Sequence, residues 1–182
     1  MYQPKVSDTI PEPELTSFED CGVISESGEL MFTSKHLNQI SYDGEGNLAC
    51  IYTRTTNTSS IYYMNAESKI IETINFDNGC DYFESGLART RINGKMAYFN
   101  NKLEVVLITE YEIASPFYDG IASICEGGQY VQDGEHSFLE NAECAYLGLD
   151  GKILIDFMPQ NKLPDRNDLI IKSSESKEGA AD

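Results

Sequence analysis

The stretch YFESGLARTRINGKMAYFNNKLEVVLITEYEIASPFYDGIASI, residues 82–124, says part of itself twice: FESGLA at 83–88 returns as FYDGIA at 117–122. Self-similarity at a regular spacing is the mark of a repeat array, and it decides the fold before any single element is assigned. Outward from this stretch, a turn rich in aromatic and polar residues followed by Leu-Ala or Ile-Ala recurs at Leu48-Ala49, Leu87-Ala88 and Ile121-Ala122, spaced by 39 and 34 residues. A second landmark follows each: YMNAESKII from 63, YFNNKLEVV from 98 and YLGLDGKIL from 146, with a fourth copy, VISESGELM, from 23.

The second landmark reads as a β-hairpin. Short apolar runs flank Asn, Ser, Asp and Gly, residues that tolerate positive φ or bond to their own backbone in tight connections. Segments such as LACIYTR, LARTRIN and IASICEG supply one more short, partly alternating strand per unit. Three strands and two turns per unit are expected. No segment carries a sustained helical period. Leu103 occupies a turn position held by Gly or Ser in the other copies, so that turn is irregular. The expected fold is therefore all-β: an antiparallel, sheet-rich array of about four short hairpin units, open or partly closed. Barrel, incomplete propeller and open ribbon all remain compatible.

The array is expected over 18–172 as one domain, with units near 20–35, 36–75, 76–110 and 111–157. Residues 1–17 are expected as an extended arm, Leu169-Ile170-Ile171 could supply a last strand, and the polar tail 173–182 is expected to be disordered. Insertions distinguish the units: RTTNTSS at 54–60 and GGQYVQDGEHSFLENAE at 127–143 read as added loops, the usual place for a binding face in repeat proteins.

The second unit resembles the bacterial WG repeat, also called KWG. The resemblance rests on Gly86-Leu87-Ala88, Asn93-Gly94-Lys95, Tyr98, Val105-Val106, Tyr111 and Ser115-Pro116-Phe117. Met96-Ala97 stands where the family has Trp-Gly, and the chain contains no Trp. Ile61-Tyr62 and Cys144-Ala145 hold the same place in the neighbouring copies, and Met96 and Cys144 can fill the Trp role with a smaller apolar volume. The resemblance covers about residues 20–157, strongly in one unit. It implies a stacked β architecture and a binding role, and it brings no catalytic residues.

Thirty Asp and Glu against thirteen Lys and Arg give a net charge of −17. Nucleic acid is disfavoured, because phosphate binding needs clustered cations, and anionic membrane surfaces are repelled for the same reason. A basic protein partner, possibly a toxin, is what this field attracts and steers. Solubility alone is the competing explanation of the charge. With no secretory signal and no apolar run of membrane length, the expected location is cytoplasmic. Cys21, Cys50, Cys80, Cys125 and Cys144 are odd in number and far apart, and are expected as reduced, mostly buried thiols.

No nucleophile elbow, phosphate loop or dinucleotide fingerprint occurs. His36 and His136 lack partners at metal-ligand spacing, DGEGN at 43–47 lacks the ordered ligands of a calcium loop, and no cofactor is expected. Asp43, Glu45, Glu84 and Asp119 precede or enter the Leu-Ala and Ile-Ala landmarks and are expected as an acidic stripe on successive units. With Tyr130, Asp133 and Glu135 of the third-unit insertion they form the candidate partner-binding set. The expected function is non-enzymatic protein binding, of the kind an acidic immunity or inhibitor protein performs by occluding a basic toxin or enzyme. A scaffold repeat without a dedicated partner is the alternative, and a carboxylate enzyme a lesser one.

Overall fold

The computed structural model describes residues 21–24, 27–34, 37–42, 48–54, 59–67, 69–134 and 136–169. The chain forms strands β1 Cys21–Ile24, β2 Leu30–Ser34, β3 Leu37–Tyr42, β4 Ala49–Arg54, β5 Ser59–Met64, β6 Ile70–Glu72, β7 Asn75–Phe76 and β8 Gly79–Cys80. It continues with β9 Leu87–Ile92, β10 Lys95–Asn100, β11 Val105–Ile108, β12 Ile113–Ala114, β13 Ile121–Asp133, β14 His136–Gly148 and β15 Ile153–Pro159. Every sheet is an antiparallel meander of consecutive strands: β1-β2, β3-β4-β5-β6, β7-β8, β9-β10-β11 and β12-β13-β14-β15. The all-β, antiparallel array expected from the sequence is what the chain forms, and of the open and partly closed arrangements left compatible, no sheet among the described residues is closed.

Residues 1–17 and 173–182, together with His36, Asp43, Glu45 and the 43–47 loop, lie outside the described residues. Leu169, expected to begin a last strand, instead ends a single helical turn at 166–169, and Ile170 and Ile171 are not described. Among the described residues no helix is long and apolar enough to cross a membrane.

The FESGLA/FYDGIA echo is a turn. Ser85 and Gly86 have φ of 52° and 78°, and Asp119 and Gly120 have 50° and 78°. Each pair closes a bridge, Glu84 to Leu87 and Tyr118 to Ile121. Two successive positive φ values define the turn whose twist matches paired strands, and Gly at the second place removes the steric cost. The second landmark is likewise one device used three times. The N–H of Asn65, Asn100 and Gly148 donates to the carbonyl of Lys69, Glu104 and Lys152 at 3.0, 3.0 and 2.9 Å.

A third device joins one unit to the next. Tyr63, Tyr98 and Tyr146 each donate their phenol hydrogen to a backbone carbonyl farther along the chain: Asp81 at 2.9 Å, Ser115 at 2.7 Å and Pro164 at 2.7 Å. The first two rings also pack on the aromatic ahead of the next echo turn. Tyr63 lies 5.2 Å from Phe83 and Tyr98 4.5 Å from Phe117, centroid to centroid.

The core is accordingly a series of clusters between units. Leu48, Ile61, Tyr63, Ala88, Phe99 and Leu103 fill one. Met96, Tyr98, Phe117, Ala122, Ile124, Ala145 and Leu147 fill the next. Met96 and Cys144, which the resemblance sets in the place of the WG repeat's Trp, are 3% and 1% exposed, so both are core positions.

One buried ion pair stands within the array. Asp81 accepts from the backbone N–H, Nε and Nη2 of Arg89 at 2.8, 2.9 and 2.6 Å, and Arg89 Nη1 donates to the Ala114 carbonyl at 3.0 Å. One unit later the same backbone donation is made to a serine: Ser123 N–H to Ser115 Oγ, 2.9 Å. The pair is therefore a charged version of a repeated contact.

Two expectations are corrected. The cysteines are not all reduced thiols: Cys50 bonds Cys80 and Cys125 bonds Cys144, with Cα separations of 5.9 and 4.1 Å. Cys125 and Cys144 face each other in the β13–β14 register, and the fold carries β8 back against β4. No spacing rule reveals such pairs, because the partners meet only through strand register. The insertion at 127–143 is not a loop either. It prolongs β13 and β14 to 13 residues each, so the hairpin projects past its own sheet as an arm. Tyr130-Val131 and Phe138-Leu139 are strand formers placed on either side of Asp133-Gly134, which is hairpin chemistry.

Candidate functional site

The arm begins where the neighbouring strands stop. β12 pairs β13 only at Ile124 and Cys125, and β15 pairs β14 only between Glu143 and Leu147. From Glu126 to Ala142 the two central strands therefore pair only with each other among the described residues. The disulfide Cys125–Cys144 ties them at this exit point.

Immediately beyond it the backbone bends. Gly127 and Gly128 have φ of 67° and 74°, and Asn141 opposite has 58°. A Cβ at Gly128 would lie 2.7 Å from the Glu140 carbonyl oxygen and 2.9 Å from Ala142 Cβ. Only glycine permits so close a crossing, so the arm leaves the body at a built angle with a covalent base.

Past the bend, register places Tyr130 opposite Leu139 and Val131 opposite Phe138. Directly opposed residues share a face and neighbours along a strand alternate, so each face of the arm carries an apolar pair. Tyr130 is 65% exposed and Phe138 44%, high for rings of this size. Around them the segment 126–143 holds five carboxylates, Glu126, Asp133, Glu135, Glu140 and Glu143, and no Lys or Arg. Aromatic anchors in an acidic frame form a surface suited to a cationic, partly apolar partner.

Several clefts adjoin the array. One, about 820 Å³, runs beside the root of the arm between Leu139–Glu143 and Pro159–Asn161. A second, about 510 Å³, lies among Tyr118, Asp119, Tyr146 and the segment Leu163–Asn167. There the Arg166 guanidinium stacks 4.8 Å from the Tyr118 ring. A third, about 530 Å³, borders the Cys50–Cys80 disulfide and is lined by Tyr63, Tyr82, Phe83 and Glu84. Among the described residues no group of three or more His, Cys, Asp or Glu is placed to hold a metal ion.

The displaced ionisations have local causes. Burial pushes the Tyr98 phenol well above the usual tyrosine range, and burial likewise raises Tyr62 and Tyr146. Glu104 is lowered by the Asn100 side-chain amide, and Asp150 by Lys152. Both of these carboxylates belong to the repeated hairpin turns.

Of the sequence-derived candidates, Tyr130 and Asp133 come together on the arm. Glu135, Asp43 and Glu45 lie outside the described residues. Glu84 is half-buried just before the Ser85-Gly86 turn, whereas Asp119 is exposed inside the corresponding turn, where Ser85 stands one unit earlier. The two carboxylates are thus one position out of step. Their turns are nevertheless joined, since Ser85 Oγ donates to the Phe117 carbonyl at 2.7 Å and accepts the Gly120 N–H at 2.9 Å. Phe138, Leu139, Glu140 and Glu143 were not singled out from sequence. The strand-turn-strand pattern centred on Asp133-Gly134 was the signal that could have found them.

The family model described as WG containing repeat matches residues 97–130. The match starts at Ala97, the second residue of the altered dipeptide, and ends at Tyr130 on the arm. No curated protein and no solved structure matches the chain. The matched repeat is not an enzyme family. The match covers the segment from β10 to β13, and that part of the chain is similar to a WG containing repeat within an all-β protein.

Proposed function

We propose that this chain is a non-enzymatic protein-binding module that docks a basic partner on the β13–β14 arm, in the manner of an immunity or inhibitor protein that covers its target. The observation that carries the reading is the arm itself. It is bonded at its base, bent by Gly128, apolar on both faces and free of Lys and Arg. The disulfide and the bend hold the surface ready before contact, which lowers the ordering cost of association. The field of −17 raises the encounter rate with a cationic target and disfavours acidic ones.

Disulfides persist in oxidising surroundings. The proposed meeting with the partner therefore belongs to such a compartment rather than to the cytoplasm.

The test is a capture experiment from the native host with the intact protein and a Tyr130→Ser/Phe138→Ser variant, at low and high salt. The expected result is one stoichiometric basic chain, retained by the unmodified protein, released by high salt and not retained by the variant. Capture that is indifferent to the variant would move the interface off the arm. Capture that is indifferent to salt would remove steering from the account.

A further inference from the structure

The arm exposes more than side chains. β14 is paired with β13 along its whole length, but its other edge is covered by β15 only as far as Glu143. β15 ends at Pro159, which has no N–H to donate, and the chain continues as the 3-10 helix Gln160–Lys162, which packs beside β14 without extending the strand ladder. Among the described residues no strand continues that line, so Ser137–Ala142 presents an unpaired edge. The cleft of about 820 Å³ lies beside this edge, in line with the end of β15. A strand edge with free backbone groups is a template for another strand, and proteins that do not use such an edge blunt it.

The charges around the edge decide what it accepts. Glu140 and Glu143 line the cleft together with the apolar Leu139 and Ala142. An acidic segment would be repelled, and so would a second copy of a chain carrying −17. An extended cationic segment with small apolar residues at alternate positions would satisfy both the backbone and the cleft. Among the described residues the β13 edge also has no strand beside it along the arm, and the cleft of about 820 Å³ is lined from the β14 side.

We propose that the outer edge of β14 over Ser137–Ala142 takes up an extended segment of a basic partner protein as an added β-strand, continuing the line that β15 leaves at Pro159. This rests on the docking reading above and gives it a binding mode: backbone hydrogen bonds supply the register, and Glu140 and Glu143 select the charge.

The experiment uses the full chain, disulfides intact, and two short peptides. One alternates Lys with Val and Thr. The other carries the same charge with Pro in place of each Val and Thr, which removes every second N–H. Amide exchange is followed by NMR. Expected is slowed exchange at Ser137–Ala142 with the Lys–Val/Thr peptide, and binding weaker by about tenfold or more for the Pro peptide. The Glu140→Lys/Glu143→Lys variant should lose the cationic peptide by a similar factor and gain a Glu–Val/Thr peptide.

Equal binding of both cationic peptides without protection at 137–142 would overturn strand addition while leaving a purely electrostatic docking reading intact. Self-association of the free protein with protection at these amides would assign the edge to a second copy and overturn the proposal. Absence of binding by either peptide, with native capture still abolished by Tyr130→Ser/Phe138→Ser, would overturn strand addition and leave docking standing. Capture indifferent to that variant is the separate failure of the docking reading.

Discussion

Tyr98 is wholly buried, and its phenol hydrogen goes to the Ser115 carbonyl. Tyr98→Phe keeps the ring in its cluster and deletes only this donation, leaving a carbonyl without its partner. A loss of about 1–2 kcal/mol is expected, read as a lower denaturant midpoint at unchanged slope. A midpoint within error of the unmodified protein would show that the ring, not the latch, holds the units together. Because burial raises the Tyr98 pKa, its neutral form is the folded form. Its contribution is complete below the ordinary tyrosine pKa and is lost as pH rises through the folded value, so stability should decline in alkali. Leu103 shows how magnitude settles a conflict. Its φ of 57° costs about 1–2 kcal/mol for a residue with a Cβ, but at 1% exposure its side chain returns about 2–3 kcal/mol. Burial wins, and a leucine can hold a place that Gly151 fills one unit later. The irregularity was visible in sequence as a missing Gly or Ser; its cause, a side chain that reaches the core between two units, was not.

At the scale of elements, the two disulfides act on different reference states. Cys50 and Cys80 join β4 to β8 across a separation of 30 residues, whereas Cys125 and Cys144 join strands already paired in one hairpin. The chain-entropy estimate for the first is about 3–4 kcal/mol, and the second constrains less because it closes a shorter loop. Cys50→Ala/Cys80→Ala should therefore lower stability by about 3 kcal/mol, and Cys125→Ala/Cys144→Ala by less. Thiol alkylation of the unfolded, unreduced protein should label one cysteine of five, the fifth being Cys21. Labelling of all five without reductant would remove both bonds from the account. The hairpins themselves were legible in advance, since each is set by a few neighbouring turn residues and short apolar runs. The arm was half legible. Its position was visible as an insertion, but its state depended on 13-residue strands pairing in continuous register.

For the whole molecule, charge and repetition pull in different directions. The repeated latches draw the units together, while a net −17 makes the compact state repel itself. Among the described residues the exposed ion pairs, Lys95–Glu112 at 3.3 Å and Lys152–Asp150 at 2.7 Å, are too accessible to offset that repulsion. The Asp81–Arg89 pair is buried and little affected by screening. Raising ionic strength from low to physiological should thus increase the melting temperature by a few degrees while it slows association with a basic partner. A melting temperature that falls with salt would mean that attractive surface pairs dominate after all.

The antiparallel β class, the hairpins and the acidic character were legible in the sequence. Each of these is written in neighbouring residues: positive-φ turn formers, alternating apolar positions, or a simple sum of charges. The tertiary structure alone decided which cysteines bond, which carbonyl each tyrosine reaches, where Arg89 finds Asp81, and that Glu84 and Asp119 stand one position out of step. It also turned an insertion into an arm with an open edge. Those features depend on the register between segments many residues apart, and register is set by the packing of whole units rather than by any local run of side chains.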